Sequence, residues 1–116
     1  MKIIALIIAT LITTNYSIAQ TKLEIDSVGK HIGENVTVCS KVYSIKVFDK
    51  VTFINLGANF PNSPLTIVIF TKDFVNFTDT PTNMYENKKI CVTGILKKYK
   101  DKTEIIVSKP TEIVLN

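Results

Sequence analysis

From Val36 to Val47 the chain alternates in hydrophobicity with a period of two, and partway along the alternation changes parity. Val36, Val38, Ser40 and Val42 fall on one side, while Thr37, Cys39, Lys41 and Tyr43 fall on the other. Successive side chains of a strand point to opposite faces, so this stretch is one half-buried strand. Ile45 and Val47 then take the opposite parity. A strand keeps its apolar residues on one face across such a change by accommodating an extra residue, which predicts a bulge near Ser44 and a long strand that curves.

The rest of the chain supplies partners for that strand. "VTFINLG" from Val51 and "LTIVIFT" from Leu65 are two further strands, separated by "ANFPNSP", which is dense in turn formers. "KDFVNFTDTPTNMYEN" is broken by Pro81 and by its Asp and Asn residues, and reads as a short helix around Asp73 to Phe77 followed by a loop. "KKICVTGILKKY" and "TEIIVSK" form the fourth and fifth strands across a lysine-rich tip, and "TEIVLN" is a short tail. Ahead of the strands, Thr21 to Glu24 has the spacing of a capping box. Ile25, Val28 and Ile32 follow at helical intervals before Gly33, which predicts a short N-terminal helix. There is no internal repeat, low-complexity tract or linker.

The first 19 residues read as a signal peptide, with Lys2, an apolar stretch from Ile3 to Ile12, and small residues at Ser17 and Ala19. The apolar stretch is well short of the ~20 residues needed to span a bilayer. No Cys stands at the expected cleavage point after Ala19 to carry a lipid, so no membrane anchor is expected after cleavage. The expected product is periplasmic or secreted, a single domain over residues 20–116. All 14 basic residues of the full chain are Lys, and one of them, Lys2, leaves with the signal. Thirteen Lys against 10 acids leave a net charge of +3. Without Arg the chain lacks the planar bidentate donor used to read guanine edges, so sequence-specific duplex readout is not expected.

Five strands, with the one sizeable interruption between the third and fourth, is the element order of an OB-fold barrel. The segments "HIGENVTVCSKV", "VTFINLGANFPNSPLTIVIF" and "ICVTGILKKYKDKTEIIVSKPTEI" resemble the tRNA-anticodon-binding-like OB domains of exported bacterial proteins, some of them attached to secreted nucleases. The resemblance runs from about Ile32 to Ile113. It implies an all-β, five-stranded barrel with a short N-terminal helix and a short helix or loop between strands three and four. Such barrels bind nucleic acids, sugars and proteins alike, so the fold does not choose the ligand.

Export makes a disulfide the default for the two cysteines, Cys39 and Cys91. In the OB topology the first and fourth strands lie side by side and antiparallel. Cys39 groups with Thr37 and away from Val36 and Val38, as Cys91 groups with Thr93 and away from Ile90 and Val92. Both thiols then face outward on neighbouring strands, where opposed Cβ atoms lie about 5.5 Å apart. A cross-strand disulfide is expected, the alternative being two quiet thiols.

Catalysis finds little support. One His, His31, and two cysteines in a bridge do not compose a zinc site, and the acids lack calcium-loop spacing. No metal, cofactor or enzymatic activity is expected. Binding remains. An OB barrel binds on the face of its second and third strands, bordered by the loops between strands one and two and between strands four and five. Those loops are "KVFDK" and "KKYKDK". They nominate Phe48 and Lys50 in the first, and Lys97, Lys98, Tyr99, Lys100 and Lys102 in the second. Tyr43, alternating outward with Lys41, joins them. Lysine beside an aromatic suits a single strand, with charge along the backbone and rings stacked on bases, although hairpin tips also carry Lys simply to stay soluble and to discourage edge pairing. Phe53, Phe60 and Phe70 are expected in the core, with Phe74 and Phe77 capping the barrel. The expected function is non-enzymatic, sequence-tolerant binding of single-stranded nucleic acid or another polyanion. The alternative is a module that docks on a protein partner in the envelope or medium.

Overall fold

A computed structural model describes residues 21–116, and the expected signal segment lies outside the described residues. Eight strands run through them: β1 Thr21–Leu23, β2 Asn35–Val47, β3 Val51–Leu56, β4 Leu65–Phe70, β5 Lys89–Ile95, β6 Lys97–Tyr99, β7 Lys102–Ile106 and β8 Ile113–Leu115. One α-helix among them, α1, covers Pro81–Tyr85, and three short 3₁₀ helices accompany it. The sheet order is β6-β7-β4-β3-β2-β5-β8, with β1 set parallel against β2. β4 and β7 are parallel, and the remaining neighbours on that path are antiparallel. This is a mostly β, OB-like arrangement.

β2 carries the design. Its first half pairs with β5 and its second half with β3, and between Val42 and Ser44 the pairing with β3 shifts register. Val42 opposes Leu56, both buried, and Ile45 opposes Ile54, while Tyr43 is the extra residue between them. The bulge sits where the parity change placed it. It lets one strand leave the β5 side and join the β3 side while keeping Val36, Val38 and Val42 in a shared core. Ile54, Ile67, Ile69, Ile90, Val92 and Ile105 are among the other members of that core, all fully buried. Burial of each such side chain stabilises the fold by about 1.5–3 kcal/mol.

The expected five-stranded barrel is corrected to an eight-stranded sheet that does not close. No ladder among the described residues joins β5 to β7. The fourth expected strand divides at Leu96, whose N–H donates to the Glu34 carbonyl and whose carbonyl accepts from the Gly33 N–H. That exchange turns the chain, so β5 pairs with β2 and β6 with β7. The expected tail also becomes a strand, β8, which occupies the edge of β5 at Ile90 to Val92 and buries Ile113. Where β5 passes β7, a Cβ on Gly94 would stand 2.6 Å from Ile105 Cγ2, so glycine permits the close approach.

Two helical expectations also change. Thr21 to Leu23 pairs with Val36 to Val38, which satisfies the backbone that a capping box would have served. The helix that follows, Ile25–Lys30, is 3₁₀, and the Glu24 side chain makes no cap bond. Between β4 and β5 the expected short helix is a 3₁₀ helix over Thr71–Asn76. Phe74 and Phe77 pack on the core there as expected. The following segment, expected as loop, contains α1. Pro81 begins it at a position that needs no N–H donor, and Thr80 Oγ1 accepts from the Asn83 N–H at 3.3 Å.

Cys39 and Cys91 are directly opposed in the β2–β5 ladder with Cα atoms 4.0 Å apart, and they form the expected disulfide. On the same face, the Thr37 and Thr93 hydroxyls meet at 2.8 Å. The bridge joins residues 52 apart in sequence, which by chain entropy stabilises the fold by about 4 kcal/mol. Reduction should therefore lower the denaturant midpoint by that stability loss divided by the m-value, and the unreduced protein should show no free thiol when denatured. Two titratable thiols before reduction would contradict the pairing.

Candidate functional site

The outer face of the sheet is set by strand parity. On β3, Thr52 and Ile54 point inward, so Phe53 and Asn55 point out. Across the strands Ser44 opposes Asn55, Asn55 opposes Thr66, and Thr66 opposes Glu104, giving a polar row from β2 to β7. Lys46 opposes Phe53 in the adjacent row.

Asn55 is only 1% exposed although it lies on an outer face. The loop from Gly57 to Pro64 covers it. Asn55 Nδ2 donates to Ser44 Oγ at 3.0 Å, and its Oδ1 accepts from Thr66 Oγ1 at 3.0 Å and from Ser63 Oγ at 3.2 Å. One carboxamide thus ties β2, β4 and the loop together. Gly57 starts the loop with φ 84°, and a Cβ there would meet Pro64 Cγ at 2.6 Å and Ile25 Cδ1 at 2.8 Å. Both backbone conformation and space require glycine. Farther along the loop, Lys102 Nζ donates to the Pro61 carbonyl at 2.6 Å and stands 4.8 Å from the centre of the Phe60 ring.

The folded-back loop and the outer face enclose a groove of about 550 Å³ lined by Lys46, Phe48, Phe53, Asn55, Phe60, Thr66, Lys102 and Glu104. Phe48 and Phe53 meet edge to face, 5.7 Å between centroids. Phe53 and Phe60 were expected in the core, and the structure corrects both. Phe53 is half-buried on the outer parity, and Phe60 is 61% exposed at the groove. Phe70 is likewise exposed, at 37%. The groove therefore presents three phenyl rings, two lysines and one carboxylate, with the Thr66 hydroxyl and the Asn55 carboxamide in its floor. It holds no imidazole or thiol. His31 pairs with Glu34 at 2.7 Å on the surface, and among the described residues no three His, Cys, Asp or Glu side chains gather to hold a metal.

Of the residues nominated from sequence, Phe48 and Lys102 line the groove. Tyr99 opposes Lys102 in the β6–β7 hairpin, sharing its face, and is 60% exposed with Lys100 Nζ 5.6 Å from its ring. Lys100 is at the tip with φ 54°. Lys97 opposes Glu104 but borders a different depression, with Ile95 and Ile106. Lys98 opposes Thr103 and takes the other parity. Lys50 lies beside Phe70 and Lys72, away from the groove. Tyr43, at the bulge, is exposed beneath Lys41 Nζ at 5.5 Å. Lys46, Phe53, Asn55, Phe60, Thr66 and Glu104 were not nominated. The outward parity of Phe53 and Asn55 was a signal for two of them.

Burial in the groove floor pushes the Glu104 carboxyl above its ordinary value. The folded state thus holds this proton more tightly than the unfolded chain does. The resulting stability is present below the unfolded value, about 4.3, and is lost as pH rises through the folded one. Glu104→Gln should remove that dependence, matching the parent at low pH and exceeding it at pH 7 by a few tenths of a kcal/mol, a small figure because the carboxyl is only partly buried and solvent screens it. A carboxyl carbon titration by NMR with a midpoint at or below the ordinary glutamate value would contradict this.

No protein-family model matches the chain, and no curated protein matches it. Solved structures do. The aspartyl-tRNA synthetase of Entamoeba histolytica is 18% identical with a TM-score of 0.59, over 86% of this chain and 22% of that one. The S. pombe Stn1-ten1 complex is 12% identical with a TM-score of 0.55, over 71% of this chain and 57% of that one. An OBody, AM1L10, bound to hen egg-white lysozyme is 14% identical with a TM-score of 0.58, over 84% of this chain and 94% of that one. The putative aspartyl-tRNA synthetase of Leishmania major Friedlin matches over 89% of this chain, which spans about a fifth of that protein's length. At such identities the likeness concerns the fold, and that fold is OB-like.

Proposed function

We propose that the chain is an exported, non-enzymatic binding module, similar to the OB domains of exported bacterial proteins, that holds single-stranded nucleic acid or another polyanion across the outer-face groove. The observation that carries this reading is the convergence of Phe48, Phe53 and Phe60 with Lys46 in one groove, beside a hairpin bearing Lys97, Lys98, Tyr99 and Lys100. Rings offer stacking to any base, and lysines follow a phosphate backbone without reading sequence. Export is supported by the disulfide, which persists in oxidising compartments. Similarity to an aspartyl-tRNA synthetase, an enzyme that acts on an RNA, agrees with a nucleic-acid ligand. A protein partner is the second reading. The largely apolar ring cluster and the likeness to an OBody bound to lysozyme favour it.

Salt separates the two. Oligonucleotide affinity should fall log-linearly with salt, by about 0.7 in slope for each phosphate contact, whereas apolar protein docking should barely respond. Replacing Lys46, which lines the groove, and Lys100, which stands over the Tyr99 ring beside it, together by Ala should flatten that slope. Phe48→Ala and Tyr99→Ala should instead each cost about 1–3 kcal/mol of binding with the slope retained, because a ring contributes contact and no charge. A fluorescent single strand titrated at two salt concentrations checks this. A flat titration at both would rule out the polyanion reading.

A further inference from the structure

Lys102 looks in sequence like one more lysine of a solvated tip, yet its ammonium is spoken for. One N–H goes to the Pro61 carbonyl at 2.6 Å, and the charge sits 4.8 Å from the centre of the Phe60 ring. Phe60 needs such a partner. It lies in the middle of the β3–β4 loop and is 61% exposed, so little packing fixes its ring. The Asn55 bonds secure the loop at Ser63, three residues further on. Strand order places Lys102 on β7 and the Phe48–Phe53 pair on the β2 and β3 side, with β4 between them. Phe60, leaning on Lys102, therefore stands across the groove from the other two rings.

We infer that Lys102 is a positioning residue, which holds Phe60 as the far wall of a slot that takes one flat, unpaired ring of a single strand between Phe60 and the Phe48–Phe53 pair. The inference rests on the proposed function for its ligand and on the free structure for the clamp. Lys102 acts through Phe60 and makes no phosphate contact. A cation on one face of a phenyl ring leaves the other face to stack, and the ring's own attraction for the ammonium keeps it from rotating away.

Two measurements test this. In the free protein, NMR should show the Lys102 ε-methylene protons shifted upfield by the Phe60 ring, with the shift abolished in Phe60→Leu. Unshifted resonances would overturn the clamp, whatever the protein binds. In oligonucleotide titrations, Lys102→Met should weaken binding about three- to tenfold with the salt slope unchanged, and Lys102→Arg should restore most of the affinity. Phe60→Ala should weaken binding by about tenfold or more, and in that background Lys102→Met should cost nothing further. A slope reduced by about 0.7 in Lys102→Met, or losses that add in the double variant, would make Lys102 a phosphate contact and overturn the assignment. Shifted resonances in a protein that binds no oligonucleotide would keep the clamp and discard the base, so the two readings fail separately.

Discussion

The groove depends on one buried carboxamide. Asn55 points away from the core, on a face that a small β domain would ordinarily leave to water, and three bonds hold it there. Its donor fixes Ser44, the first residue after the β2 bulge, and its carbonyl oxygen fixes Thr66 on β4 and Ser63 in the returning loop. An amide buried without partners would cost a few kcal/mol, so the loop and the row of hydroxyls stand or fall together. With the loop in place, Phe60 comes over the face and the outer sheet acquires a wall. Without it, Phe53 and Thr66 would lie on an open surface.

Chemistry in the groove follows from what surrounds that row. Phenyl rings supply contact area with little rotamer entropy to lose, and the lysines bring charge to the edges. Glu104 is the discordant member. A carboxylate in the floor opposes any phosphate lying directly above it, so a polyanion would have to run its backbone along the lysine edges and turn its rings inward. That is the orientation in which stacking and charge neutralisation both operate. The disulfide contributes elsewhere, locking the half of β2 that pairs with β5 and leaving the β3 half to carry the site.

Much of the frame was legible because it rests on periodicity. The parity change between Val42 and Ile45 located the bulge, and the matching parity of Cys39 and Cys91, on strands that the OB topology sets side by side, located the disulfide. What failed had no period to follow. Thr21 to Glu24 is too short to distinguish helix from strand, and an available edge on β2 decided for strand. Pro81 reads as a breaker until Thr80 is seen capping it. Val114 and Leu115 are apolar residues in a tail until β5 offers a free edge. Most consequential was Phe60: a ring in a turn-rich loop carries no signal of the face on which the loop will land, and that landing is set by hydroxyl bonds to Asn55. The lysine tip was correctly read as a hairpin, but which of its lysines reach the groove depends on cross-strand register.

The most direct test of this account is the mobility of the loop when the carboxamide is removed. Backbone ¹⁵N relaxation in the parent protein should give residues 57–64 order parameters near those of the strands, about 0.85. In Asn55→Ala the same residues should fall below about 0.6 while β2, β4 and β5 keep their values. A loop equally rigid in both proteins, or equally mobile in both, would show that Asn55 does not build the groove.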